Sequence, residues 1–134
     1  ADPGAQFWVV QYKSSFTDIE IRKLYQDAFA VIVPLKDVFQ PSGYSVTLQS
    51  MACGKVVILT KTKGLWAPII FKNKINCILV KPKSKNEIEE AIKFLQNNKS
   101  IYEKISNNAR KTVEEYFSLK NSTESTLELF KKFI

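Results

Sequence analysis

The stretch Val33–Gly54, VPLKDVFQPSGYSVTLQSMACG, carries the residues best suited to chemistry. An apolar run ends near Leu35, a loop containing Pro41 and Ser42 follows, and helical spacing begins near Gly43. The first N–H groups of a helix have no internal acceptor and carry partial positive charge. Gly43 lets a ligand approach the backbone, and Ser42 and Ser45 add hydroxyls. Such an arrangement suits a phosphate or diphosphate. Ser42 is equally good as a plain N-cap with no ligand at all. Gln49, about one and a half turns further on, has a polar amide that needs partners. Ribose hydroxyls would serve, and so would solvent.

Missing residue types exclude other chemistry. The 134 residues contain no His, so no His-based triad, His metal ligand or imidazole acid–base step can come from this chain. Cys53 and Cys77 are too few for a zinc site or a disulfide scaffold. Each lies among apolar neighbours and reads as a buried thiol in a reducing compartment. No metal site and no bound cofactor are expected. No apolar run approaches the roughly 18 residues that span a bilayer, and no signal segment opens the chain. The Asn-x-Ser/Thr matches at Asn98 and Asn121 then read as chance.

Charge is unevenly placed. The net charge is +7, from 20 Lys and Arg against 13 Asp and Glu. Residues 1–54 hold four basic and five acidic residues, whereas Lys55–Lys85 holds eight Lys and no acid. That run suits a phosphate ligand, an anionic membrane surface or nucleic acid; it suits a solvated set of loops equally well. Arg occurs only at Arg22 and Arg110, which argues against the bidentate recognition typical of nucleic-acid readers.

The elements that must position these residues follow from periodicity. Nine Phe, five Tyr and two Trp, with 45% apolar residues, exclude disorder and allow one domain with a real core. Phe7–Tyr12, Phe29–Leu35, Val56–Thr60 and Cys77–Val80 read as strands. The two long runs among them are continuously apolar, as in strands covered on both faces. Thr17 opens a capping box with Glu20, and Ile21, Leu24, Tyr25 and Ala28 have helical spacing. A second helix spans Gly43–Gly54, with Val46, Leu48, Met51 and Ala52 apolar and Gly54 as the C′ residue. Leu65–Phe71 is expected to make one or two helical turns. Boxes at Ser84-x-x-Glu87 and Ser100-x-x-Glu103 open two more helices, and Asn121–Ile134 reads as the last. Ile88, Ala91, Ile92 and Leu95, then Ile101, Ile105, Ala109 and Val113, supply their stripes. Strands alternating with helices imply a Rossmann-like α/β domain, a parallel sheet with helices on both faces and ligands at the carboxyl ends of its strands. Residues 1–134 form this one domain, with 1–6 read as an appended or disordered lead.

Ser50–Lys55 (SMACGK), Val57–Thr60 (VILT), Gly64, Asn76–Val80 (NCILV), Ala109-Arg110 and Phe117 occur in an order that resembles the carboxyl-terminal half of a GT-B glycosyltransferase. The likeness is strongest to the retaining group 1, or family 4, enzymes and covers about residues 20–118. It implies a donor-binding domain that transfers a sugar from a nucleotide-sugar, UDP- or GDP-linked, to an acceptor such as a polysaccharide or lipid. It further implies donor diphosphate on Gly43, Tyr44, Ser45 and Val46, with Ser42 beside them, and ribose on Gln49, where the family has Glu. The family's other Glu aligns with Pro41, which leaves Asp37 as the candidate near the donor sugar. Lys61 and Lys63 would assist the phosphates. The missing amino-terminal acceptor domain is then an expected partner, the fragment alone is expected to be inactive, and the setting is cytoplasmic, with peripheral contact to the inner membrane face. The alternative is a non-catalytic basic module that binds phosphate ligands, nucleic acid or a membrane surface. Nucleotide-sugar epimerases and glycan phosphorylases share the fold, but the former lean on His and carboxylates and the latter on a pyridoxal-binding Lys in another motif.

Overall fold

The computed structural model describes residues 8–9, 17–40, 43–65 and 67–117. The order is β1 (Trp8–Val9), α1 (Asp18–Asp27), β2 (Ala30–Val33), α2 (Tyr44–Ala52), β3 (Val56–Thr60), β4 (Ile78–Val80), α3 (Lys85–Asn97) and α4 (Lys99–Tyr116). The four strands form one parallel sheet in the order β1-β2-β3-β4. The architecture is α/β and Rossmann-like, as the periodicity predicts. The expected helix Asn121–Ile134 lies outside the described residues, as do the ends of the Phe7–Tyr12 strand and Ser42.

Alternation along the strands builds two cores. Val31, Val33, Val57, Leu59 and Cys77 face one side with Tyr25, Ala28 and Met51. Ala30, Val56, Ile58, Ile78 and Val80 face the other with Ala91 and Leu95. All five β3 residues are buried, so a continuously apolar sequence is what this position requires. α4 contributes Ile105 to one core and Ala109 to the other.

α4 also seals the amino-terminal end of the sheet. The Tyr102 hydroxyl donates to Phe29 O, just before β2. Ser106 Oγ donates to Gly54 O, and Arg110 Nη1 to Ala52 O at 3.2 Å, both just before β3. Asn108 Nδ2 donates to Ile75 O at 3.0 Å, just before β4. Buried Asn76 closes that corner, donating to Ile70 O and Thr112 Oγ1 and accepting from Lys72 N–H. With the amino-terminal end so covered, the carboxyl end is where ligands can reach the sheet.

Three helix expectations are corrected. Leu65–Phe71 forms turns, not a regular helix: Ile70 and Phe71 N–H both return to Ala67 O. The Lys72 N–H then goes to Asn76 Oδ1 at 2.9 Å and not to a helical carbonyl, and Phe71 turns into the core. Ser100 is not an N-cap, because α4 already begins at Lys99 behind Asn98. The Asn98 amide donates to Phe94 O at 2.8 Å, joining the two helices at a corner. On α2 it is Thr47, Ser50 and Met51 that are buried, whereas Ala52 is exposed. The other two boxes hold: Thr17 Oγ1 accepts from Glu20 N–H, and Ser84 Oγ from Glu87 N–H.

Cys53 is half-buried and not buried as expected, while Cys77 is buried; both are free thiols. Burial pushes the Cys77 thiol up to about 12, and it raises the Tyr25 and Tyr102 phenols as well. The native state therefore holds these protons at pH values where the unfolded chain has released them. Stability is present in full below about pH 9 and falls as pH rises from there toward 12. Cys77 contributes to that fall because its thiol ionises in the unfolded chain first. Thermal melts of wild type and Cys77→Ala between pH 8 and pH 11 measure it: the wild-type midpoint falls more steeply. Equal slopes would refute a buried thiol as the cause.

Candidate functional site at the carboxyl end of the sheet

Two loops meet above β2 and β3. The first runs from Pro34 to Gly43 and the second from Lys61 to Leu65. The Asp37 carboxylate accepts the Lys63 N–H at 2.9 Å, and Lys63 Nζ lies 5.6 Å from the centre of the Phe39 ring. Thr60 Oγ1 joins their roots, accepting from Leu35 N–H at 3.0 Å and donating to Val33 O at 3.3 Å. Gly64 sits directly against the carbonyls of Val38 and Phe39. Asp37, the candidate near the donor sugar, thus has one oxygen engaged as a clamp between the two loops.

Gly43 turns the first loop into α2. Its φ of +69° is a left-handed conformation that costs a side-chain-bearing residue about 1–2 kcal/mol. A Cβ here would lie 2.8 Å from Val33 Cγ1. Thr47 is the first residue whose N–H closes onto the helix, at Gly43 O. The N–H groups ahead of it, including those of Ser45 and Val46, belong to the outward-facing end. No side chain caps this terminus among the described residues, and its first turn carries no acid. The Val46 side chain packs against the core, so only its backbone is available to a ligand. Thr47 is fully buried, and its hydroxyl has no partner among the described residues.

Gln49 is exposed, and its Oε1 accepts from the Tyr25 hydroxyl on α1 at 3.2 Å. Burial pushes the Tyr25 phenol up and keeps it a neutral donor, while a hydrogen bond with Ser50 opposes that shift. The amide oxygen is therefore oriented by α1, and Nε2 has no partner among the described residues to compete for its hydrogens. Lys61 and Lys63 are both exposed on the second loop, at the same sheet end as α2's N-terminus. The structure thus brings Gly43, Tyr44, Ser45, Val46, Lys61, Lys63 and Asp37 to one end of the sheet, with Gln49 further along α2.

Beside these loops the structure shows a groove that sequence reading missed. It has a volume of about 610 Å³ and lies between the carboxyl ends of β2, β3 and β4 and the first turn of α3. Lys-Pro-Lys-Ser-Lys, Lys81–Lys85, between an apolar strand and a capping box, is the sequence signal that would have found it. No group of three or more metal-ligating side chains occurs among the described residues, and no helix among them is long and apolar enough to cross a membrane.

Comparison with known proteins fits this geometry. Residues 9–112 match the model of the family described as glycosyl transferases group 1. An uncharacterized glycosyltransferase of Methanocaldococcus jannaschii, MJ1607, is 33% identical over 111 residues. That match covers 83% of this chain and 27% of MJ1607, so the chain spans about a quarter of that relative. Anabaena Alr3699/HepE, solved with UDP-glucose, superposes with a TM-score of 0.73 at 21% identity, covering 84% of this chain and 30% of HepE. The carboxyl-terminal domain of the group 1 protein LpcC from Francisella tularensis gives 0.65 at 24%, covering 82% and 53%. These likenesses show the fold, that of GT-B glycosyltransferase domains. With the family model spanning both site loops and every described strand but the first residue of β1, the chain belongs to the group 1 glycosyl transferases.

Proposed function

We propose that this chain is the carboxyl-terminal, donor-binding domain of a retaining family 4 glycosyltransferase of hexosyl type. The observation that carries the reading is the α2 N-terminus, uncapped by any described side chain and turned by left-handed Gly43 toward the carboxyl end of the sheet. The donor diphosphate accepts hydrogen bonds from the backbone at Gly43, Tyr44, Ser45 and Val46, and from Ser42, which lies outside the described residues. Gln49 donates its amide hydrogens to the ribose hydroxyls while Tyr25 holds its oxygen. Lys61 and Lys63 neutralise the departing phosphate. HepE, with UDP-glucose bound, supports a UDP-sugar over a GDP-sugar.

The reaction is a front-side substitution. The bond from the anomeric carbon to the donor's phosphate oxygen breaks, and the acceptor oxygen bonds to the same face. The acceptor proton passes to the departing phosphate oxygen. Helix dipole and lysines stabilise the charge that develops on that oxygen, which is the main contribution of this half. Asp37, through its second carboxylate oxygen, is the candidate to contact the donor sugar. No metal or other cofactor takes part. A further domain of the same protein supplies the acceptor side, a polysaccharide or lipid, on the cytoplasmic face of the membrane, and this domain alone does not catalyse transfer.

Titration with UDP, followed by amide chemical shifts, tests the donor site. Shifts centred on Gly43–Gln49 are expected, and Gln49→Ala should weaken UDP about threefold to tenfold, the value of one or two hydrogen bonds. Undisturbed amides in that segment at millimolar UDP would sink the proposal.

A further inference from the structure

The lysines of the Lys55–Lys85 run are sorted by the fold. Lys61, Lys63, Lys81, Lys83 and Lys85 all come to the carboxyl end of the sheet, where Lys36 joins them. Three carboxylates share that end, each with one described partner. Asp37 accepts the Lys63 N–H, Glu87 accepts the Lys81 N–H at 3.0 Å, and Glu89 lies 3.8 Å from Lys85. Lys36, Lys81 and Lys83 have no ion pair among the described residues. Lys36, Lys81 and Lys83 thus line the groove without an ion pair among the described residues, beside a Lys85–Glu89 pair whose charges offset each other, so the lining carries more positive than negative charge.

The groove beneath those heads is apolar. Pro34, Leu35 and Ile88 line it, and its two hydroxyl residues are engaged elsewhere, Thr60 on the β2 backbone and Ser84 in capping α3. Lys83 is held at φ +57°, a left-handed backbone that a residue with a side chain rarely adopts. Leu35 is shared. It lines the groove, and its methyl carbons lie 3.0 and 3.2 Å from where a Gly43 Cβ would stand. The groove and the α2 N-terminus are thus neighbouring compartments separated by one side chain. Its volume lies within the range of small-molecule sites.

We propose that this groove is a second anion subsite that takes a phosphate ester of an apolar alcohol. The phosphate sits among Lys36, Lys81 and Lys83, and the apolar chain lies on Leu35 and Ile88. Its position next to the donor helix makes this ligand the phosphate-bearing end of an acceptor whose remainder the further domain holds; that assignment rests on the proposed donor site, whereas the binding itself does not. Lysines serve here as point charges and leave the phosphate's orientation to the groove.

Hexyl phosphate, inorganic phosphate and hexanol are the probes, titrated separately into the 134-residue chain and followed by amide shifts. Hexyl phosphate is expected to move Leu35, Lys36, Lys83 and Ile88, and to bind at least tenfold more tightly than either inorganic phosphate or hexanol. Lys36→Glu and the double substitution Lys81→Glu/Lys83→Glu, all at exposed positions, should each weaken it at least tenfold while UDP affinity stays within about twofold. Inorganic phosphate binding as tightly as hexyl phosphate would overturn the apolar half. Binding unchanged by both charge reversals would overturn the anion half. Hexyl phosphate in the groove with UDP absent from α2 would uphold the subsite and remove the donor reading instead.

Discussion

Gly43→Ala is expected to lower unfolding stability by about 2–5 kcal/mol and to abolish the UDP-induced shifts at Ser45 and Val46. Two physical costs add. The left-handed backbone, φ +69°, costs a residue with a Cβ about 1–2 kcal/mol. The new methyl also stands 2.8 Å from Val33 Cγ1 and 3.0 Å from Leu35 Cδ2. Val33 is 5% exposed and rigid at χ1, so it cannot swing away, and overpacking of this kind costs about 1–3 kcal/mol. Gly54 supplies the control. Its φ is +70°, yet a Cβ there meets only Ser106 Oγ, at 3.9 Å. Gly54→Ala therefore carries the backbone cost alone, about 1–2 kcal/mol. Urea denaturation of both variants separates the terms. A Gly43 variant no less stable than the Gly54 variant would remove the crowding argument.

Gly64→Ala should cost about 3 kcal/mol although its backbone is not left-handed. Its Cβ would stand 2.6 Å from the Phe39 carbonyl carbon and 2.7 Å from Val38 O. These are backbone atoms, so relief requires the two loops to separate. Separation stretches the Lys63 N–H bond to Asp37 and takes Lys63 away from the Phe39 ring. The cost combines overpacking, about 1–3 kcal/mol, with part of a charge-assisted hydrogen bond of about 1.5–3 kcal/mol. Asp37→Ala removes only that bond at an exposed position and should cost less, about 1 kcal/mol. Because the first loop delivers Gly43, the Gly64 variant should also bind UDP about tenfold more weakly. Equal stability of the Asp37 and Gly64 variants in urea would show that the loops are not interlocked through Gly64.

Periodicity made the sheet legible. Val56–Thr60 is apolar at every position because both its faces are covered, and no other environment accepts such a strand so readily. Thr17 and Ser84 marked two helix starts because capping is a local interaction over three residues. Ser100 misled for the complementary reason. The corner between α3 and α4 is set by Asn98 reaching back to Phe94, and an equally good local box yields to it. Leu65–Phe71 misled because a side chain four residues further on, Asn76, takes the N–H a helix would have used.

Sequence by itself determined the Rossmann-like class, the helix start near Gly43 and the charge imbalance, since each is written in neighbouring residue types. Tertiary structure alone decided what those residues face. Asp37 became a clamp because Lys63, 26 residues away, presents its N–H. Gln49 gained an oriented oxygen because Tyr25 lies across from it on α1. The lysine run became divided between the two sheet ends because strands β3 and β4 begin and end within it, sending Lys55, Lys72 and Lys74 to one end and Lys61, Lys63, Lys81, Lys83 and Lys85 to the other. A parallel sheet brings every strand's carboxyl end to the same side, so residues distant in sequence share one field there, and no local pattern encodes that sharing.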